Sequence, residues 1–206
     1  MDEVLWATGR VSGIVGLALL TISVLLGLVT RSGRPLPGLP RFSVSLVHRN
    51  VAVLSTAFIV LHVVTLLFDS YAKLNLINVF LPFFGSFKPF WQGLGTVAFD
   101  FLIAILITGL LRQRIGAKAF RLVHWLVYAM WPLGLAHSIG NGTDGTDLWF
   151  LGFGLVSVLA VLAALGWRLS TGFGESGAAR KRAESSILSA TELNVTELTT
   201  RKTEVA

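Results

Sequence analysis

His48, His62, His124 and His137 are the only histidines in a chain of 206 residues. All four fall in segments apolar enough to cross a membrane. They form two sets: His48 and His62 are fourteen residues apart, and His124 and His137 are thirteen apart. An imidazole in hydrocarbon is costly and marks a partner or a function. Two helices that each offer one imidazole near each membrane face make a cage for two haems stacked across the bilayer. Such a protein would be a wire for electrons. Two plainer readings stand beside this one: hydrogen-bonded interhelical contacts and metal transport. Transport has little support, because there is no cysteine and Asp100 is the only carboxylate inside an apolar segment.

Composition narrows the class. Hydrophobic residues make up 53% of the chain, charged residues 14%, and the mean hydropathy is +0.73. That describes a polytopic membrane protein rather than a soluble domain. The net charge of +6 does not signal nucleic acid, because the bases sit in short loops between apolar runs, where they set topology. The lack of cysteine excludes disulfides, iron–sulfur clusters, thiolate ligation and c-type haem attachment. No cleavable signal peptide is expected: the first apolar run is long enough to span and follows Asp2 and Glu3.

A membrane-crossing helix needs about 20 apolar residues. Five segments qualify, at 11–30, 45–68, 94–111, 121–140 and 148–168, so the predicted fold is an all-α, five-span transmembrane bundle. Trp6 is an interfacial anchor before the first. The stretch 69–93, broken by Pro82, Gly85 and Pro89, is expected to lie on the membrane and cap the outer site. The predicted haem-binding domain covers 1–170, followed by a polar, disordered tail at 171–206. Arg31, Arg34, Arg41 and Arg49 crowd one loop, and Arg112, Arg114, Lys118 and Arg121 another. Arg168, Arg180, Lys181 and Arg182 follow the last span. The opposite loops hold only Lys73 and Lys88, or the acids Asp144 and Asp147. The positive-inside rule therefore puts the N-terminus outside and the C-terminus in the cytoplasm.

With this topology the second and fourth spans both run outward. His48 and His124 share the inner level, and His62 and His137 the outer. The levels lie roughly 20 Å apart at about 1.5 Å per residue. Fourteen residues leave His62 about 40° from His48, nearly the same face. Thirteen leave His137 about 140° from His124. Pro132 and Gly134 lie between them, and a distortion near Pro132 is predicted to turn His137 toward the cofactor.

Three stretches carry a family resemblance: HRNVAVLSTAFIVLH (48–62), GLGTVAFDFLIAILITGLLRQRIG (93–116) and FRLVHWLVYAMWPLGLAH (120–137). The chain resembles the ferric-reductase-like transmembrane domain over roughly residues 5–168. That family includes NADPH oxidases, ferric-chelate reductases and the haem-binding membrane subunit of the methionine sulfoxide reductase system. The resemblance implies two b-type haems, each with two axial histidines. Such iron has no open coordination position and suits electron transfer. Nothing after the last span has the GxGxxG element or strand–helix alternation of a flavin or nicotinamide domain. Electrons are therefore expected from a separate flavoprotein or a membrane quinol, bringing flavin or quinone through a partner.

Haem propionates need cations. Arg49 and Arg121 adjoin the inner histidines and are equally explained as topology signals. Arg10, on the base-poor outer side, is the candidate for the outer haem. Asp100 is a candidate partner for Arg10, a proton acceptor, or a hydrogen-bonding contact. Gly9, Gly13 and Gly16 form a stripe suited to close helix packing. Most tryptophans are interfacial anchors, with Trp125 and Trp131 placed to pack on porphyrin. The loop NGTDGTD (141–147) is read as a turn.

No catalytic residue is expected in this chain, whose predicted place is a bacterial plasma membrane. The lipid bilayer is one partner and a periplasmic or extracellular redox protein another. Electrons would pass from the inner haem to the outer and on to a ferric chelate, oxygen or that partner. Where a quinol binds at the outer face, flow would begin there and one haem would suffice. The competing hypothesis is a haem-free membrane scaffold or transporter subunit.

Overall fold

Among the described residues, seven helices follow from the punctuation of the apolar runs. In this computed structural model, residues 2–32, 38, 40–70, 72, 74–170 and 185–186 are described. The expected disordered tail therefore lies outside the described residues except for 185–186, as do Arg34, Lys73 and the basic run 180–182. Helix α1 (Asp2–Ser32) is continuous from the first charged residues to Arg31. Helix α2 (Arg41–Phe68) starts after Pro40, which is extended, and stops at Asp69. Asn75 caps the short α3 (Leu76–Phe80), its side chain accepting from the Asn78 amide. Helix α4 (Pro89–Leu110) begins with proline in its first turn, where the missing N–H is not needed. Helix α5 (Arg112–His124) bends at Gly116, whose φ of 81° suits glycine. Helices α6 (Val127–Asn141) and α7 (Leu148–Leu169) follow. No strand occurs among the described residues.

Helices α1, α2, α4 and α7 are long and apolar enough to cross a membrane. The predicted segment 121–140 differs: it is the end of α5, a turn at Trp125 and Leu126, and α6. The turn is wound tightly. Leu126 donates to the Val123 carbonyl, Tyr128 to Trp125 and Ala129 to Leu126, each three residues back. Such winding takes three residues per turn instead of 3.6, about 20° more per residue. Over about four residues that adds about 80°, reducing the mismatch between His124 and His137 from about 140° to about 60°. The expected distortion thus lies at 125–129, not at Pro132, which sits inside a continuous α6. It ends one residue beyond Tyr128, the residue whose carbonyl the Pro132 ring abuts. Arg168 of α7 braces the turn, lying 4.7 Å from the Trp125 ring centre and donating to the Tyr128 hydroxyl.

The core joins α1, α4, α6 and α7 through Leu17, Leu20, Val24, Leu102, Met130, Trp131, Leu135, Phe150 and Val161. Trp131 donates from Nε1 to Thr21 Oγ1 at 2.9 Å, so its indole is satisfied within the core. Helix α2 contributes no fully buried residue to this cluster. It packs along α1 instead, while α6 packs against α4. The histidine-bearing α2 is therefore held mainly by α1, and the histidine-bearing α5 and α6 mainly by α4.

Candidate functional site

The four imidazoles meet in the expected pairs. His48 of α2 and His124 of α5 have ring centres 6.4 Å apart and planes at 88°. His62 of α2 and His137 of α6 are also 6.4 Å apart, at 80°. Along α2 the two levels are separated by about 21 Å at the α-helical rise.

The separation carries chemical meaning. Metal–imidazole bonds of about 2.0–2.1 Å, plus about 1.1 Å from each nitrogen to its ring centre, place two axial rings roughly 6.3 Å apart. Both pairs match that value. Among the described residues no group of three or more His, Asp or Glu could hold a bare metal ion, which ordinarily takes three or four protein ligands. Two facing imidazoles fit an ion whose other four ligands would come from a planar macrocycle such as haem. Around the outer pair lies a cavity of about 240 Å³, lined mainly by apolar side chains and by His62 and His137. Packed interiors have few voids larger than one water.

Nitrogen bookkeeping agrees. His62 Nδ1 bonds the Gly9 carbonyl at 2.6 Å. His137 Nδ1 bonds the Trp91 carbonyl at 2.8 Å. His48 Nδ1 bonds the Ser23 carbonyl at 3.0 Å. A carbonyl only accepts, so each Nδ1 carries the hydrogen and Nε2 keeps its lone pair for a metal. His124 departs from the pattern. Its Nδ1 is buried with no hydrogen-bond partner among the described residues, and its ring stacks on Phe120 at 5.1 Å.

Glycines make these close approaches possible. A Cβ added at Gly13 would lie 2.7 Å from His62 Nδ1, and one at Gly95 would lie 2.5 Å from His137 Nδ1. At Gly27 the contact with His48 Cε1 would be 3.2 Å. The Gly9–Gly13–Gly16 stripe does pack α1 on α2, with Gly16 against Ile59, but Gly13 also seats a histidine. Gly27, Gly95 and the carbonyls of Gly9, Ser23 and Trp91 were not legible as site residues. A glycine inside an apolar helix is the only trace of the first two in the sequence, and the carbonyls leave none.

The arginines separate. Arg10 lines the outer cavity. Its guanidinium engages both carboxylate oxygens of Asp144 and lies 5.1 Å from the Trp6 ring centre. Its partner is thus the 141–147 turn and not Asp100, which is half-buried and makes no hydrogen bond or ion pair among the described residues. Asp144 lies too far along the chain for sequence spacing to suggest the pair. Arg49 and Arg121 are exposed, and Arg121 Nε donates to the Ala117 carbonyl. Trp125 and Trp131 lie outside the cavity lining, whereas Leu74, Val79 and Phe87 of the 69–93 stretch are part of it. Asp144→Asn is expected to lower stability by about 1–3 kcal/mol, measured by thermal unfolding in detergent. Combined with Arg10→Gln, the loss should fall short of the sum; strict additivity would mean the pair is not coupled.

Apolar helices arranged around two pairs of facing imidazoles define a polytopic membrane protein. Residues 12–135 match the family described as ferric reductase like transmembrane component, and the chain belongs to that family. The match includes His48, His62 and His124 and ends two residues before His137. No curated protein and no solved structure matches the chain.

Proposed function

We propose that this protein carries electrons across a membrane through two b-type haems, one held by His48 and His124 and the other by His62 and His137. The observation that carries the reading is the equal 6.4 Å separation of two imidazole pairs on elements anchored to different neighbours. Family membership supports it, because these transmembrane domains generally bind haem. When bound, such haems supply one-electron redox chemistry.

The chain's own residues have three tasks. The carbonyls of Gly9, Ser23 and Trp91 fix ring tautomers and raise ligand basicity. Apolar side chains from α1, α4 and α6 line the outer site and keep water from it. Arg10, Arg49 and Arg121 are the cations available to propionates, with Arg10 at the outer cavity. Counting α5–α6 as the fourth crossing gives five spans, with the N-terminus outside a bacterial plasma membrane and the C-terminus in the cytoplasm. Electrons arrive from a cytoplasmic flavoprotein or a quinol. They leave at the outer face to a ferric chelate, oxygen or a redox partner.

A reduced-minus-oxidised absorbance spectrum of the purified protein tests this reading. Low-spin b-type bands are expected, with two haems per chain by pyridine haemochrome. Well-folded protein that takes up no haem on reconstitution would favour the scaffold or transporter instead.

A further inference from the structure

Resting on the haem reading, we infer that His124 is the weakly held member of the four histidines. The inner site releases it to a small neutral ligand such as carbon monoxide, and the outer site keeps both of its imidazoles. Three independent observations converge on His124.

The first is the missing anchor. His48, His62 and His137 each have Nδ1 on a backbone carbonyl of another helix, whereas His124 Nδ1 is buried without a partner. Loss of such an outer-shell bond typically costs about 10–100-fold in metal affinity. A ring that swings out gains a water partner for that nitrogen, so release also relieves an unsatisfied donor.

The second is the missing seat. Gly13, Gly27 and Gly95 press against the other three rings. His124 rests on Phe120, one turn earlier in its own helix, so the two can move together.

The third is the looseness of the element. Helix α5 has no buried residue, and His124 is its last residue before the 125–126 turn. By contrast α6, which carries His137, buries Met130, Trp131 and Leu135. Elements with few buried contacts open at the smallest free-energy cost. Displacing His124 disturbs no core side chain.

The exchange is a ligand substitution. The bond from His124 Nε2 to iron breaks and a carbon–iron bond forms. The iron stays ferrous, the imidazole leaves neutral with its lone pair, and no proton or electron is transferred.

The test is a titration of dithionite-reduced protein in detergent with carbon monoxide, followed by absorbance. One carbon monoxide per two haems is expected in the unmodified chain. Uptake by both haems, or by neither, overturns the inference. His124→Ala is expected to bind one fewer carbon monoxide than it has haems, whether or not the inner haem is retained. His137→Ala is expected to bind as many as it has haems, because the inner site still reacts. The reverse assignment in either variant overturns the inference, and each variant decides the matter if the other fails to fold. Absence of haem from the unmodified protein is a separate outcome, and it removes the reading beneath the inference.

Discussion

His137→Ala is expected to remove or open the proposed outer haem and to leave the proposed inner one spectrally intact. The reason lies in how the sites are separated. His62 and His137 belong to one level, and their partners at the other level are about 21 Å away along α2. Truncating His137 deletes one of the two imidazoles that meet at the outer level. Among the described residues no third His, Asp or Glu is placed to substitute. The low-spin difference bands should fall to about half, and His62→Ala should do the same. His48→Ala should instead take the other half. A loss of both haems from a folded His137→Ala protein would refute independent levels. An unchanged spectrum would refute the pairing itself.

Gly95→Val is expected to abolish ordered ligation at the proposed outer site without replacing either histidine. A Cβ at this position would lie 2.5 Å from His137 Nδ1 and 2.6 Å from Cε1. Real Cβ atoms essentially never make such contacts, so the ring or the helix must move. The ring cannot move freely, because Nδ1 is bonded to the carbonyl of Trp91 on the same helix, α4. Valine adds two methyl groups to the overlap, in a helix packed directly against α6. Losing the outer-shell bond alone predicts a fall of about 10–100-fold in affinity for the metal group. Outer-haem occupancy should collapse while the inner bands persist. Gly166→Ala, in α7, has no atom within 4 Å of the added Cβ and should leave both signals unchanged. Equal haem content in Gly95→Val and the unmodified chain would show that the glycine is not a seat.

Much of this was legible because it is local. Long apolar runs with few charges need a membrane or a core, and their ends are marked by Pro40, Asp69, Asn75 and Pro89. The fourteen-residue spacing on α2 works as straight-helix arithmetic predicts, because nothing interrupts α2 between His48 and His62. The thirteen-residue spacing does not. Its mismatch is largely absorbed by tight winding at Trp125–Ala129, seven to three residues before Pro132. A proline in the sequence announces a disturbance; the neighbours that pack around it decide where the helix yields. Here Arg168 of α7 holds the turn.

Arg10 illustrates the same limit. Its placement among few outer cations marked it as special, and Asp100 was one candidate partner. The true partner is Asp144, 134 residues away, reached because the 141–147 turn folds over the end of α1. The backbone acceptors are harder still. The carbonyls of Gly9, Ser23 and Trp91 belong to the main chain, which is identical at every residue, so no residue type betrays them.

By itself the sequence determined an all-helical membrane protein of the ferric-reductase-like family, with four imidazoles at two depths, because hydropathy and helical rise act along the chain. Only the tertiary structure decided that the rings face each other at 6.4 Å, that glycines seat three of them, and that His124 alone lacks an anchor. Those features depend on rotation and close approach between helices distant in sequence, and they are set by packing across the whole bundle.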